Sequence, residues 1–378
     1  MNSPRKIQRH RGAEARCILF VALFAASCFG PGEHIDLNAP DAAPDASEDS
    51  GPSGDFVAFR LDTTAAGIPT TEPVTNFPLL LRLDETVLDF DAVSQDGDGI
   101  AVTGGDGTLL AHEVEQWDAT AASALLWVRV PRIEPNDAAQ QIRLYPAPSP
   151  PPQSQTDVFL ATGFASVLHL AESGNNLLGG YADASGAGHP GTGVNRTASD
   201  QVSSVIGYGG RFADQAYIAL RDFDAVPSAT TLSLWFTADI ADGELLSVKD
   251  SALLRLDEAN DAIVGMFYDG ADWRETAATL PAFDSSIYVA YTVDPATRRQ
   301  VLYLNGEPSA ASSYTGEIDY SVGYTAATLG VHPEEDRLFF TGTMDEVRIE
   351  IETHSDDWIK LCYENQRPDR TSPWPVPE

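Results

Sequence analysis

From Phe56 onward the chain is built of short runs in which apolar and polar positions alternate. "FVAFRLDT", "FPLLLRLD", "LLWVRVPRI" and "QIRLYPA" are separated by turn-forming clusters such as "SQDGDG" and "GGDGT". A period of two over four to eight residues is the pattern of a strand with one buried face, and Gly/Asp/Ser clusters punctuate strands. Residues 56–148 are therefore predicted as a small antiparallel β-sandwich. A proline-rich stretch, "PAPSPPPQS", follows and marks a semi-rigid linker over 149–163. The strand pattern then resumes in "TTLSLWFTADI", "AIVGMFYDG", "SIYVAYTVD", "RQVLYLNGEP" and "RLFFTGTMDEVRIEIE". Many short strands at regular spacing predict a second, larger double-sheet sandwich or jelly roll over 164–368, so the fold class is all-β.

Two local signals refine this picture. Asn305-Gly306 is the preferred pair for a two-residue type I′ hairpin, because both residues tolerate positive φ. "SDDWIKLCYENQ" is the one helical stretch, with Ser355 as N-cap, Asp356 and Asp357 in the first turn, and Trp358, Leu361 and Cys362 on one face. In "MDEVRIEIE", Val347, Ile349 and Ile351 form an apolar face opposite Arg348, Glu350 and Glu352. Residues 369–378 are left as a tail.

The N-terminus has a different grammar. Arg5, Lys6, Arg9, Arg11 and Arg16 precede "CILFVALFAAS", an apolar core too short to span a bilayer, which is the pattern of a signal peptide over 1–27. The ending "AASC" resembles a bacterial lipoprotein signal cut before a lipidated cysteine, which implies that Cys28 carries lipid and tethers the protein to a membrane of the cell envelope. Residues 28–55 are rich in Pro, Ala, Asp and Ser and lack the apolar surface to fold, so they read as an extended acidic tether.

The 378-residue chain has a net charge of −33. Removal of residues 1–27 takes away five basic residues and Glu14, leaving about −37. Such a polyanion repels nucleic acid, which excludes a DNA- or RNA-binding role, and offers many oxygens to hard cations. Of three cysteines, Cys17 lies in the signal core and Cys28 is the lipid site. Cys362 is left without an intrachain partner and reads as a small buried hydrophobe.

Three stretches of the second domain carry a family resemblance. "VLHLAESGNNLLGGYADASGAGHPG", "YVAYTVDPATRRQVLYLNGEP" and "FFTGTMDEVRIEIE" with "SDDWIKLCYENQ" occur in the order seen in laminin-G-like modules, the concanavalin A-like lectin/glucanase jelly rolls. The first domain, through "NFPLLLRLD", "DFDAVSQDGDGIAVTGGDGTLLAHEVEQWD" and "LLWVRVPRI", resembles a bacterial family of unknown function that often precedes such jelly rolls. The jelly-roll resemblance implies a structural calcium near the opening Asp loop and the closing strand, which maps to Asp183 and Asp345. The alternative for these residues is an Asx-turn at Asp183 and a strand-end cap at Asp345.

Candidate chemistry is sparse. "HEVEQWD" places Glu113, Glu115 and Asp118 within six positions, and resembles a permuted copy of the Glu-x-Asp-x-x-Glu strand of laminarinase-type hydrolases. Strand alternation puts Glu113 and Glu115 on one face, within reach of the about 5 to 5.5 Å that a retaining pair needs, with Val114, Gln116 and Asp118 on the other. The stretch nevertheless lies outside the jelly roll, and a half-exposed acidic strand is the simpler reading; a bulge would be needed to return Asp118 to the face of Glu113. No G-x-S-x-G, zinc-spaced Cys/His cluster or glycine-rich phosphate loop occurs. For sugar stacking, exposed loop aromatics are the expected platforms: Trp273, Tyr268 and Tyr181, then Tyr314 and Tyr320.

Taken together, these features describe a cell-envelope lipoprotein with a non-catalytic lectin-like module that binds carbohydrate or a surface protein. Two alternatives stay open at this point: a glycan-processing enzyme using Glu113 and Glu115, and a purely structural adhesion protein.

Overall fold

The computed structural model describes residues 52–378 except 94–95, 98, 147–157, 160–162, 284 and 371–373. The signal segment, Cys28 and nearly all of the tether and proline-rich linker lie outside the described residues.

The first domain contributes seven strands: β1 Val57–Arg60, β2 Val74–Asp84, β3 Ala101–Gly104, β4 Leu109–Leu110, β5 His112–Asp118, β6 Ser123–Ile133 and β7 Gln141–Tyr145. The second contributes β8 Phe164–Leu168, β9 Thr192–Val194, β10 Gln201–Ser203, β11 Tyr208–Phe212, β12 Tyr217–Leu220, β13 Thr230–Ala238, β14 Gly243–Val248 and β15 Ala252–Asp257. It continues with β16 Ala262–Tyr268, β17 Trp273–Thr279, β18 Ile287–Asp294, β19 Arg299–Leu304, β20 Glu307–Ser313, β21 Ala327–Leu329 and β22 Gly342–Glu350. Helix α1, Asp356–Gln366, and a last strand β23, Val376–Pro377, complete the chain.

All paired strands are antiparallel. The second domain stacks a sheet ordered β10-β11-β22-β13-β18-β19-β20, with β8 also on β22, against a sheet ordered β17-β16-β15-β14-β21-β12-β9. Leu232, Leu234, Phe236, Val289, Tyr291 and Ile349 of the former meet Ile218, Leu246, Leu254, Ile263 and Phe267 of the latter in one core. The hairpin at Asn305-Gly306 has φ of 51° and 80°, as a type I′ turn demands, and a Cβ on Gly306 would stand 2.9 Å from that of Tyr363.

The first domain pairs a sheet ordered β23-β1-β7-β3-β4 with a three-stranded sheet ordered β2-β6-β5. The three-stranded sheet is buried on both faces. Leu79 and Leu81 share a face with Val128 and Leu126, their cross-strand partners, whereas Leu80 and Arg82 share the other with Trp127 and Leu125. That second face lies on the outer side of the β22-containing sheet, so Trp127 and Phe159 join Val167, Trp235, Tyr288, Val301, Tyr303, Trp358 and Cys362 in one continuous core. Val158 and Phe159, within the segment expected as a spacer, are fully buried.

The polar side of the closing strand is covered: Arg348 and Glu350 are buried beneath the first domain and α1, while Ile351, expected on the apolar face, is 47% exposed beyond the end of β22. The expected tail also has a fixed place. Residues Val376 and Pro377 pair with Arg60 and Phe59, and Trp374 is buried with its indole N–H donating to the Asp62 carbonyl at 2.9 Å. Helix α1 forms as expected, with the Ser355 hydroxyl accepting from Trp358 N at 3.3 Å.

Candidate functional site

Strand β5 carries the acidic stretch, and its geometry departs from simple alternation. Its register on β6 shifts between Val114 and Gln116, leaving Glu115 as the extra residue of a bulge. Glu113 lies opposite Trp127, Gln116 opposite Leu125 and Asp118 opposite Ser123, so Gln116 and Asp118 return to the face of Glu113. The expectation that Gln116 and Asp118 face away is thus overturned by one inserted residue. Asp118 still joins no acidic group: its carboxylate accepts from the N–H of Thr120 and Ala121 at 2.9 Å and closes the turn into β6.

Glu115 points into the seam between the domains, and the Trp127 indole N–H donates to its Oε2 at 2.7 Å. Across the seam, His169 follows β8, and its Nδ1–H donates to Glu346 Oε1 at 2.5 Å. The same nitrogen stands 3.8 Å from Glu115 Oε2, and Nε2 stands 3.8 Å from Glu113 Oε1. Trp127 lies nearly parallel to the imidazole, ring centroids 6.1 Å apart. Glu346 occupies a second bulge: β22 shifts register on β13 so that Arg348 opposes Ser233 but Asp345 opposes Trp235, with Glu346 at φ 50°. Arg348 completes the group, donating to Glu346 Oε2 at 2.9 Å with its guanidinium 4.8 Å from the Trp127 ring.

Electrostatics follow from burial and neighbours. Burial pushes the Glu115 carboxyl up to about 7, opposed by His169 and reinforced by Glu346. Burial disfavours the charged His169, but Glu346 and Glu115 outweigh it and hold the imidazole well above its ordinary value. Glu346 is likewise penalised by burial yet kept below the carboxylate range by His169 and Arg348. Asp345 is driven well up by burial and by Glu346. The seam therefore favours the protonated imidazole of His169 and the ionised Glu346, and disfavours ionisation of Asp345. Among the described residues, Glu115, His169 and Glu346 form the one group of three His/Cys/Asp/Glu with ligating atoms within 4.8 Å of one another.

Sequence reading missed His169 and Glu346. His169 sits between Leu168 and Leu170 in a buried run, and the Asp345-Glu346 doublet interrupts the alternation of β22; both were the available signals.

The residues expected to bind calcium have protein partners of their own. The Asp183 carboxylate accepts from Val167 N, Ser185 N and the Ser185 hydroxyl at Oδ1, and from Gly188 N and His189 N at Oδ2. Five protein donors thus share its two oxygens, as in the Asx-turn alternative. Asp345 lies at a different place, where its Oδ2 accepts from Ile206 N at 2.8 Å. Asp183 thus holds the loop that follows β8 against that strand, with His189 bridging Ala165 O and Asp224 at 2.9 Å each.

The expected aromatic platforms separate clearly. Tyr181 is fully buried, its hydroxyl accepting from Arg196 Nε at 3.0 Å, so it cannot stack on a sugar. Tyr314 and the Tyr320 hydroxyl are buried as well. Trp273 and Tyr268 remain. They face each other across the β16–β17 hairpin, ring centroids 5.6 Å apart, and Trp273 is 39% exposed. Asp269 in the turn accepts from Ala271 N and Asp272 N and pairs with Arg274 at 2.5 Å. Those three contacts hold its carboxyl below the usual range, so a fixed charge pair flanks two aromatic faces.

Comparison with known families matches this architecture. Residues 212–360 match the model of the concanavalin A-like lectin/glucanases superfamily, and residues 96–160 match a domain of unknown function, DUF2341. The second domain is a concanavalin A-like domain. Solved structures similar to the chain include domain 4 of AbnA, a GH43 extracellular arabinanase from Geobacillus stearothermophilus, in complex with arabinotriose. That match has a TM-score of 0.43 and 17% identity, covering 52% of this chain and 97% of that one. The binding domain of Paraclostridial Mosquitocidal Protein 1 follows with a TM-score of 0.41 and 13% identity, covering 53% of this chain and 52% of that chain. The receptor binding domain of botulinum neurotoxin mosaic serotype C/D has a TM-score of 0.39 and 13% identity, covering 54% and 51%. No curated protein sequence matches the chain. No helix among the described residues is long and apolar enough to cross a membrane.

Proposed function

We propose that the protein is a carbohydrate-binding lipoprotein of the bacterial cell envelope, anchored through Cys28, whose concanavalin A-like domain takes glycan at Trp273 and Tyr268. The observation that carries this reading is the exposed indole of Trp273 beside Tyr268 and the Asp269–Arg274 pair. Apolar ring faces stack on pyranose CH groups, and a fixed charge pair supplies hydrogen bonds to hydroxyls.

The role is read as binding without catalysis. A glycosidase needs two carboxylates lining a cleft wide enough for a sugar. Here Glu115 is bonded to an indole and is 97% buried in its side chain, and Asp118 closes a turn.

The test is glycan-array binding followed by titration of the best polysaccharide. Trp273→Ala is expected to raise Kd by about tenfold or more with little change in melting temperature. Unchanged affinity in that variant would remove the site, and polysaccharide hydrolysis lost in Glu113→Gln would replace binding with catalysis. Radiolabelled fatty acid incorporated by the parent and not by Cys28→Ser tests the anchor.

A further inference from the structure

We propose that Glu115, His169 and Glu346 form a binding site for a first-row transition-metal dication of the zinc class, set in the seam between the two domains. The three ligating atoms come from three distant segments and from both domains, yet lie within 4.8 Å of one another. Bulges at Glu115 and at Asp345–Glu346 aim both carboxylates inward. Bulges beside functional groups commonly re-aim a side chain in this way.

An independent observation points to a ligand. Glu115 has a side chain only 3% exposed, and its Oε1 has no hydrogen-bond partner. A buried carboxylate oxygen left unpaired is destabilising, and coordination to an ion removes that penalty. The donor set selects the ion. One imidazole nitrogen with two carboxylates suits zinc, manganese or iron, whereas calcium takes six to eight oxygens.

The outer partners are in place as well. Trp127 bonds Glu115 Oε2 and Arg348 bonds Glu346 Oε2, fixing each carboxylate while leaving its other oxygen available. Charge agrees in sign: Glu113, Glu115, Asp345 and Glu346 lie near the guanidiniums of Arg82 and Arg348 and the imidazole of His169, and a dication that replaces the His169 proton adds positive charge among these acidic groups. His169 Nδ1 and Glu346 Oε1, now at hydrogen-bond distance, need to part only to about 3 Å to share an ion at about 2.0–2.1 Å from each.

The experiment uses the untagged full chain, stripped with chelator and dialysed against Zn²⁺, Co²⁺ or Ca²⁺ in turn. Metal content by mass spectrometry and the visible absorption of bound Co²⁺ are the readouts. One Zn²⁺ or Co²⁺ per chain is expected, with affinity falling at least about tenfold in Glu115→Gln and in Glu346→Gln. No stoichiometric Zn²⁺ or Co²⁺ in the parent overturns the proposal, whether or not the variants fold. So does preferential uptake of Ca²⁺, or undiminished Zn²⁺ binding in both variants when these retain the parent's circular dichroism.

Discussion

Asn365 in α1 of the concanavalin A-like domain hydrogen-bonds both backbone groups of Leu80 in the first domain: its Oδ1 accepts from the Leu80 N–H at 2.8 Å, and its Nδ2 donates to the Leu80 carbonyl at 3.0 Å. Strand β2 is an edge of its sheet, and a buried edge needs a partner for every N–H and C=O. The amide side chain supplies that partner in place of another strand. Its Nδ2 also donates to the Trp374 carbonyl at 3.1 Å, so one side chain ties together both domains and the C-terminal segment. Asn365→Leu, close in volume, is expected to lower unfolding free energy by about 2–4 kcal/mol, measured by urea denaturation, with faster hydrogen exchange at the Leu80 amide.

Asp183 is expected to act through its five hydrogen bonds alone. Asp183→Ala should destabilise the protein by about 2–4 kcal/mol, because four backbone N–H groups and one hydroxyl lose their acceptor. Calcium or chelator should shift the melting temperature of neither parent nor variant. A calcium-dependent rise that disappears in the variant would restore the cation reading.

Glu244 on β14 gives a pH dependence with a definite sign. It is 1% exposed, and neither carboxylate oxygen has a hydrogen-bond partner. Burial, reinforced by the charge of Asp250, pushes its carboxyl up to about 8. Below pH 4.5 both folded and unfolded chains hold the proton and no penalty arises. Between 4.5 and about 8 only the folded chain holds it, so this group's contribution to stability falls as pH rises, by on the order of 4 kcal/mol in total. Glu244→Gln should therefore match the parent within about 1 kcal/mol at low pH and gain steadily on it up to pH 8. A difference independent of pH would refute the assignment.

Much of the fold was legible because it rests on local rules. The Asn305-Gly306 hairpin, the Ser355 cap and the inward faces of β13, β18 and β22 each follow from a few neighbouring residues. The site was less legible because it rests on register and on contacts between segments far apart in the chain. Glu113, Glu115 and Asp118 obey strict alternation on paper, and the inserted residue at Glu115 changes which of their neighbours share a face. The burial of Arg348 and Glu350 was not legible, because a period-two pattern does not reveal whether a polar side is covered by another domain. Tyr181 looked like a loop aromatic because nothing nearby in sequence announces that Arg196 will close over its hydroxyl.

The pairing of β23 with β1, together with the clasp of Asn365 on Leu80, sets an order of events during synthesis. A ribosome delivers residues 57–145 well before residues 365–377, at about 5–20 residues per second. The sheet begun by β1 thus lacks its outermost strand, and β2 its amide partner, until residues 365–377 emerge. The first domain is begun before the concanavalin A-like domain and finished after most of it has been made. Loss of residues 365–377 would therefore injure the part made earlier, and a transplant of either domain into another chain must carry those residues along with it.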